Sequence, residues 1–579
     1  MGNCGSVNEK RKEKGNRESQ IQKSERNERD DDHLKNFNIH LDKRISSTAN
    51  FTITTSHNMN NRESTAEIIE RNSMERKINS TPFKIARNKS LTQNRIESKI
   101  FQKEFDIVVN NSNIFNEKDT KPFESYDLVK KVGSGSYGSV FLVNHKQMNL
   151  NRAMKKIKKE ELNSPDEDIK ILDEVNILQT LDHPNILKIF ELYNSRDAYY
   201  YITEYCNKGE LLGFLKKKYT PVQISVMFYQ ILLAIHYLHC NNITHRDLKL
   251  ENILISHIDE KGFLSIKIID FGGAKIFQNN KKEKAIIGSS YYIAPEVIKM
   301  NYNEKCDEWG CGVILYMLLV GIPPFNDRSD EIILEKILSG NFNKTPSLWL
   351  RASKQIKDLI QRLLDTNIET RLSAREALDH EWFKINKTRE ILTEVKRERL
   401  LNLSQNIINY RYESKLQQVT LLFIIHNFIS ENVNEELPDA LKMFRLFDSD
   451  LDGKLTKEEL IEGLKLSISE EEIKEKIDEL FLTIDAGHSG FIRYEEFLCA
   501  VLSKNKIISE DNLYFAFKYF DKTNSGRITI EELKEILRLE DDELSREVLG
   551  NIIKDMDSVG NGVIDFFDFK NMMRNLVNQ

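Results

Sequence analysis

Cysteine is scarce in this sequence. The six present in 579 residues are Cys4, Cys206, Cys240, Cys306, Cys311 and Cys499. They form no CxxC pair and no regular spacing, so no disulfide framework is expected and a reducing compartment is the default. Long hydrophobic runs are lacking too. The most apolar stretches, around residues 313–320 and 419–429, fall short of the 18 or so residues a membrane span requires and read as core helices. Nor is there an excess of one charge: 84 Lys and Arg face 90 Asp and Glu, a net charge of −6, which argues against a nucleic-acid partner. That near-balance hides an asymmetry. From residue 441 onward 30 acidic residues face 19 basic ones, so a net −11 there leaves +5 for everything before it. This is the distribution expected of a cation-binding tail.

The chain is too long for one hydrophobic core, and at roughly 150 residues per domain it should hold three or four units. Residues 7–120 are rich in Asn, Ser, Arg, Lys and Glu, with scattered single apolar residues and no sustained period. Such a segment cannot bury enough apolar surface to offset its chain entropy, so residues 1–120 are expected to be a disordered leader. The leader starts MGNCGS, which fits N-myristoylation at Gly2, with Cys4 beside it as a palmitoylation candidate. One myristoyl chain binds a bilayer only marginally, and Glu9 and Glu13 dilute the basic residues that follow. A second acyl group would therefore decide whether this otherwise cytoplasmic chain stays on a membrane surface.

The chemistry concentrates in HRDLKLEN, residues 245–252, and in the triplet Asp270, Phe271, Gly272. Phosphoryl transfer from ATP needs a carboxylate to orient the accepting hydroxyl, and oxygen ligands to hold Mg2+ on the phosphates. Asp247 would take the hydroxyl proton, Asn252 and Asp270 would hold magnesium, and Lys249 would steady the moving phosphate. Upstream, GSGSYGSV at 133–140 lies between apolar runs of strand character at 128–132 and 140–143. A lone GxGxxG would also fit a dinucleotide-binding turn, but that requires a helix directly after the glycines. Here a second strand and then Ala153, Met154 and Lys155 follow.

On these motifs residues 126–383 resemble a eukaryotic-type protein kinase, which implies a bilobal α+β fold. The resemblance places ATP against Val132, Gly133, Ser134, Gly135, Ser136, Tyr137, Gly138, Ser139 and Val140, with Lys155 on the α and β phosphates and Glu174 as its partner. It assigns the adenine edge to the hinge, Glu204 to Cys206, with Thr203 at the gate behind. Glu210 and Glu251 match positions that bind substrate arginine in basophilic kinases, so protein substrates with Arg or Lys near the target Ser or Thr are expected. Asp307 and Arg371, the latter paired with Glu296, match structural positions. One departure concerns control. No Ser, Thr or Tyr occurs between Gly273 and Gly288, so a phosphate cannot meet Arg246 in the usual place. Either Glu283 substitutes for it or another element provides the control.

Residues 389–412 are basic and helical in pattern, and KLQQVTLLFIIHNFI at 415–429 sets Leu416, Val419, Leu422, Phe423 and Phe428 near helical spacing. Such a stripe needs a groove; it is either a core helix of the next domain or a target helix for a calcium-sensing lobe supplied in cis. Loop starts then recur every 36 to 37 residues at Asp448, Asp485, Asp521 and Asp557, each with a glycine six positions into the loop. That pattern fits four EF-hands, expected at 435–470, 472–507, 508–543 and 544–579. The first loop is complete: Asp448, Asp450, Asp452, the Lys454 carbonyl and Glu459 would hold Ca2+. The second keeps Asp485, Ser489, the Phe491 carbonyl and Glu496, with Gly487 at position 3. The third offers Asp521, Thr523, Ser525, the Arg527 carbonyl and Glu532. The fourth has Asp557, Asn561, the Val563 carbonyl and the shorter Asp568, with Val559 at position 3. Affinity should fall from the first loop to the third and second, the fourth being structural.

Kinase, basic junction at 384–434 and all-α calmodulin-like region, in this order, resemble the calcium-dependent protein kinases. The resemblance implies a monomeric enzyme whose junction blocks the substrate groove until Ca2+ binds. Two other readings are a calcium-dependent membrane scaffold with an inert kinase domain, disfavoured by the intact catalytic set, and a kinase answering to separate calmodulin.

Overall fold

The computed structural model describes residues 103, 107–135, 138–162, 165–277, 288, 290–412, 414–428, 435–557 and 560–578. Gly2, Cys4, Ser136, Tyr137 and Glu283 lie outside them, and with them the expectations placed on these residues.

The small lobe is a six-stranded sheet in the order β1-β5-β6-β4-β3-β2. Its antiparallel members are β2 (Tyr126–Gly135), β3 (Gly138–His145), β4 (Leu150–Lys158), β5 (Ile189–Asn194) and β6 (Ala198–Glu204). Val143, Met154, Phe190, Tyr200 and Ile202 form one apolar cluster in it. The edge strand β1 (Asn116–Lys118) pairs parallel to β5. The leader expected to run to 120 therefore ends earlier. Ile107, Val109 and Ile114 are buried in a core and β1 adds backbone hydrogen bonds to the sheet. Three apolar residues in a polar background are too few for a periodic signal, yet enough to dock when a groove is already built.

Helix Pro165–Thr180 buries Ile171, Glu174, Val175 and Leu178, one face at 3.6 spacing, which is why Glu174 points inward. The large lobe is organised on helix Pro221–Cys240, opened by Pro221 and by a capping box between Thr220 and Gln223. Contrary to the expectation that no stretch reaches span length, this helix is long and apolar enough to cross a membrane, but it is mostly buried within the lobe, so it is a core helix.

Beyond the kinase come helices Thr388–Thr393 and Arg397–Ile408, then helix Lys415–Phe428, and then four helix–loop–helix units. Their entering and exiting helices are Leu437–Phe447 with Lys457–Leu464, Glu470–Ile484 with Tyr494–Val501, Glu510–Phe520 with Ile530–Ile536, and Glu543–Met556 with Phe566–Asn578. The loops couple in pairs through short backbone bridges, Leu455 to Ile492 and Arg527–Ile528 to Ile564–Asp565. Leu416, Val419, Leu422, Phe423 and Phe428 are all buried in one core shared with these helices. Helix Lys415–Phe428 is thus enclosed by the EF-hand helices, a placement that both alternatives for 415–429 share.

Candidate active site and calcium loops

Strand β4 places Lys155 opposite Val140 of the glycine-rich hairpin. The hairpin needs glycine at 138, because a Cβ there would come within 2.1 Å of the Lys156 carbonyl oxygen. Lys155 Nζ sits 3.2 Å from Glu174 Oε1 and 3.6 Å from Asp270 Oδ1. Burial opposes its charge, but Glu174 and then Asp270 outweigh that and raise its pKa. Asp270 adopts a left-handed backbone, φ 64°, at the head of a short turn that buries Phe271 against the His245 ring. This strained position aims the carboxylate at Lys155.

The catalytic loop is tied down from beneath. Asp307, buried on helix Lys305–Val320, accepts the His245 amide at 2.8 Å and the Arg246 amide at 2.9 Å. His239 faces Asp307 through Nε2 and Glu308 through Nδ1; burial disfavours its charge, yet the two acids raise its pKa to about 10. Within the loop, Asp247 Oδ2 accepts from Lys249 Nζ at 2.7 Å and from Asn252 Nδ2 at 3.2 Å. Asn252 also donates to the Asp247 carbonyl at 2.9 Å. Asp247, Lys249 and Asn252 thus come together, and Asp270 joins Lys155 and Glu174. Arg246 donates through Nε to the Gly273 carbonyl and through Nη1 to the Tyr302 hydroxyl. Its guanidinium is thereby engaged by neutral oxygens.

At the hinge the Glu204 carboxylate accepts the Lys188 amide and pairs with Lys267, while Thr203 and Cys206 are buried. Burial, and then the Glu251 carboxylate, push the Glu210 pKa up, as expected where two acids share a site suited to a cation. The Tyr292 hydroxyl donates to Glu251 at 3.3 Å.

In the first EF-hand loop, carboxylate oxygens of Asp448, Asp450 and Asp452 all lie within 4.8 Å of one another. Burial, followed by Asp452 and Glu459, pushes Asp448 up to about 8, and burial with Asp450 pushes Asp452 up to about 6. Asp448 Oδ1 is buried without a hydrogen-bond partner. Three converging carboxylates, one with an orphaned oxygen, fit a calcium site. Gly453, at φ 77°, makes the sharp turn. Glu459 folds back over the loop, accepting from Ser449 and Asp450 on one oxygen and from Thr456 on the other.

The other loops repeat this scaffold with fewer charges. Glu496 accepts the Gly487 and Arg493 amides, and burial raises it to about 7. With no side chain at Gly487, that loop lacks a position-3 donor. In the third loop Ser525 donates to Asp521, and Thr523 donates to Glu532. In the fourth, Asp557 accepts the Gly560 and Gly562 amides, and Asp568 accepts the Asp565 amide at 3.4 Å. Phe491, Arg527, Asn561 and Val563 occupy the loop positions read from the sequence.

The protein kinase domain family matches residues 126–383, and the EF-hand domain pair matches 438–502 and 510–574. Calcium-dependent protein kinase 4 of Plasmodium falciparum is 36% identical over 483 residues, covering 81% of this chain and 89% of the relative. The chain belongs to the calcium-dependent protein kinases. Calcium-dependent protein kinase 5 of the same species is 33% identical, over 76% of each chain, and calcium-dependent protein kinase 3 of Plasmodium berghei 35%, over 76% of this chain and 79% of the relative.

For this calcium-dependent protein kinase, ATP would supply the phosphoryl group, and Asn252 and Asp270 would hold the Mg2+ that would neutralise charge on its phosphates. Lys155, held by Glu174, is the candidate to bind phosphate oxygens. Asp247 is the candidate group to accept the proton of a substrate hydroxyl, and Lys249 keeps its cation beside that carboxylate.

Sequence reasoning missed how the EF-hands meet the kinase. Glu495, one residue before the last ligand candidate of the second loop, pairs with Lys188 at 2.5 Å and with His426 Nδ1 at 3.0 Å, and its amide donates to Asp182. His426 Nε2 faces the Ile189 carbonyl at 3.1 Å. Arg152 stacks 3.9 Å over Phe190 and donates to the Asn427 carbonyl. The first calcium loop lies against the large lobe: a Cβ on Gly453 would meet the Tyr237 ring at 2.7 Å, and Lys454 donates to Asn241 at 2.9 Å. The doubled acid Glu495-Glu496 and a lone histidine in an otherwise apolar stripe were the available signals.

Proposed function

We propose that this enzyme is a calcium-activated serine/threonine kinase. It transfers the ATP γ-phosphate to Ser or Thr in protein substrates carrying nearby Arg or Lys, which Glu210 and Glu251 would bind. At low calcium the junction, residues 384–434, occupies the substrate groove; calcium at the EF-hands withdraws it. The observation that supports this most is the burial of helix Lys415–Phe428 among the EF-hand helices. The kinase residues in contact with that helix and the EF-hands, among them Arg152, Lys188, Asn185 and Tyr237, are distinct from the cleft residues. The helix can be held there or at the groove, and moving such an equilibrium from 1:99 to 99:1 needs about 5.5 kcal/mol of differential binding. One or two micromolar-class sites supply much of that through linkage. Acylation at Gly2 and Cys4 would add a membrane-associated pool to a cytoplasmic enzyme.

The test is turnover of an Arg-containing Ser peptide against free calcium, using the whole chain with no calmodulin added. Activation is expected, and Glu459→Gln, which removes half of the bidentate closure of the strongest loop, should raise the calcium needed for half-activation roughly tenfold or more. An unchanged calcium curve in that variant would contradict the proposal, and activation only with added calmodulin would replace it.

A further inference from the structure

Residues 107–118 carry none of the motifs that identify the enzyme, yet this short stretch contacts the second and third EF-hands as well as the kinase. Ile107, Val109 and Ile114 are buried in the core formed by the EF-hand helices and helix Lys415–Phe428. The Val109 amide donates to the Ala486 carbonyl of the second calcium loop at 2.9 Å. Asn113 Nδ2 donates to the Ile536 carbonyl of the third hand at 2.9 Å, and the Tyr519 hydroxyl donates to the Ile114 carbonyl at 2.6 Å. Both EF-hand pairs are therefore held by this stretch.

At its other end the segment belongs to the kinase. Strand β1 extends β5, and Lys118 pairs with Glu191 at 2.8 Å. Between the two ends, the turn Asn111–Asn113 packs on helix Pro165–Thr180, which carries Glu174. Asn111 and Phe115 share a small cavity with Leu178 at the end of that helix, and with Lys188, His426 and Glu495. The tail of the Glu174 helix, the start of β5, the target helix and the second EF-hand thus meet around the segment.

We infer that residues 107–118 act as a positioning strap that ties the Glu174 helix to the EF-hands. This rests on the proposed calcium activation and adds a second route for it. Besides clearing the groove, a rearrangement of the EF-hands loads or slackens the strap, and through it the Lys155–Glu174 pair. Val109, Asn113 and Ile114 touch no substrate; they act through the helix. Losing the strap should therefore lower kcat without changing peptide KM, because the groove still clears.

The test uses the full chain at saturating calcium, with Asn113→Ala combined with Tyr519→Phe, and separately Val109→Asp. Calorimetry should return the unsubstituted calcium stoichiometry for the double variant. Its kcat should fall at least fivefold at unchanged peptide KM, and amide exchange over residues 165–180 should quicken at least fivefold. Val109→Asp, which places a charge in the shared core, should lower kcat tenfold or more. Unsubstituted kcat and exchange rates in the double variant would overturn the strap. A rise in KM with kcat intact would overturn it equally, by placing the segment's effect in the groove. Turnover of the unsubstituted chain that ignores calcium would overturn the activation reading instead, and faster exchange in the double variant would then still support the mechanical link.

Discussion

Asp247→Asn is expected to lower phosphoryl transfer by roughly 10²- to 10⁴-fold, the range associated with loss of a positioned general base. The substitution is nearly isosteric. Asp247 Oδ2 accepts from both Lys249 and Asn252, so an amide oxygen turned toward them can keep those two hydrogen bonds. What disappears is the negative charge that draws the substrate hydroxyl proton and offsets the Lys249 cation. Thermal unfolding and calcium stoichiometry should therefore match the unsubstituted enzyme while single-turnover transfer to peptide collapses. A loss below about tenfold would mean that positioning carries the rate and Asp247 is not the base.

Arg371→Ala should cost about 3–5 kcal/mol of folding stability, the range for removing one partner of a buried ion pair. Arg371 is fully buried and makes a two-pronged contact with Glu296, with Nη2 to Oε2 at 2.9 Å. It also donates to the carbonyls of Asp365 and Lys305. The substitution strands the Glu296 carboxylate and leaves two carbonyls short of a donor, so its effect far exceeds that of an exposed pair such as Lys121 with Asp197. Denaturant unfolding followed by tryptophan fluorescence suits the measurement, because Trp309 lies 5.2 Å from the Arg371 guanidinium. Arg371→Lys should recover only part of the loss, since an ammonium cannot reproduce the fork. Stability within 1 kcal/mol of the unsubstituted chain would show that the lobe does not lean on this pair.

The kinase domain was legible in the sequence because its motif spacing is local: HRDLKLEN and DFG each gather several candidate residues within a few positions. Glu174 was legible through a physical demand, since a buried lysine needs a partner. The EF-hands could be read from the sequence because ion chelation restricts residue type position by position along each loop. The strap and the contact between EF-hands and kinase were not legible. Val109 meets Ala486, Asn113 meets Ile536 and Asp182 meets Glu495 across more than 300 positions of chain, and no period or motif links residues so far apart. For the same reason a polar leader hid three docking residues, which a composition average smooths away.

That calcium-gated access to Asp247 depends on residues 384–434 is tested most directly with a chain ending at residue 390, assayed in chelator beside the intact enzyme. The shortened chain should be the more active of the two, because its groove is clear. It should also stay below the calcium-saturated intact enzyme, because the strap has lost its anchor. Activity no higher than that of the intact enzyme in chelator would contradict the account.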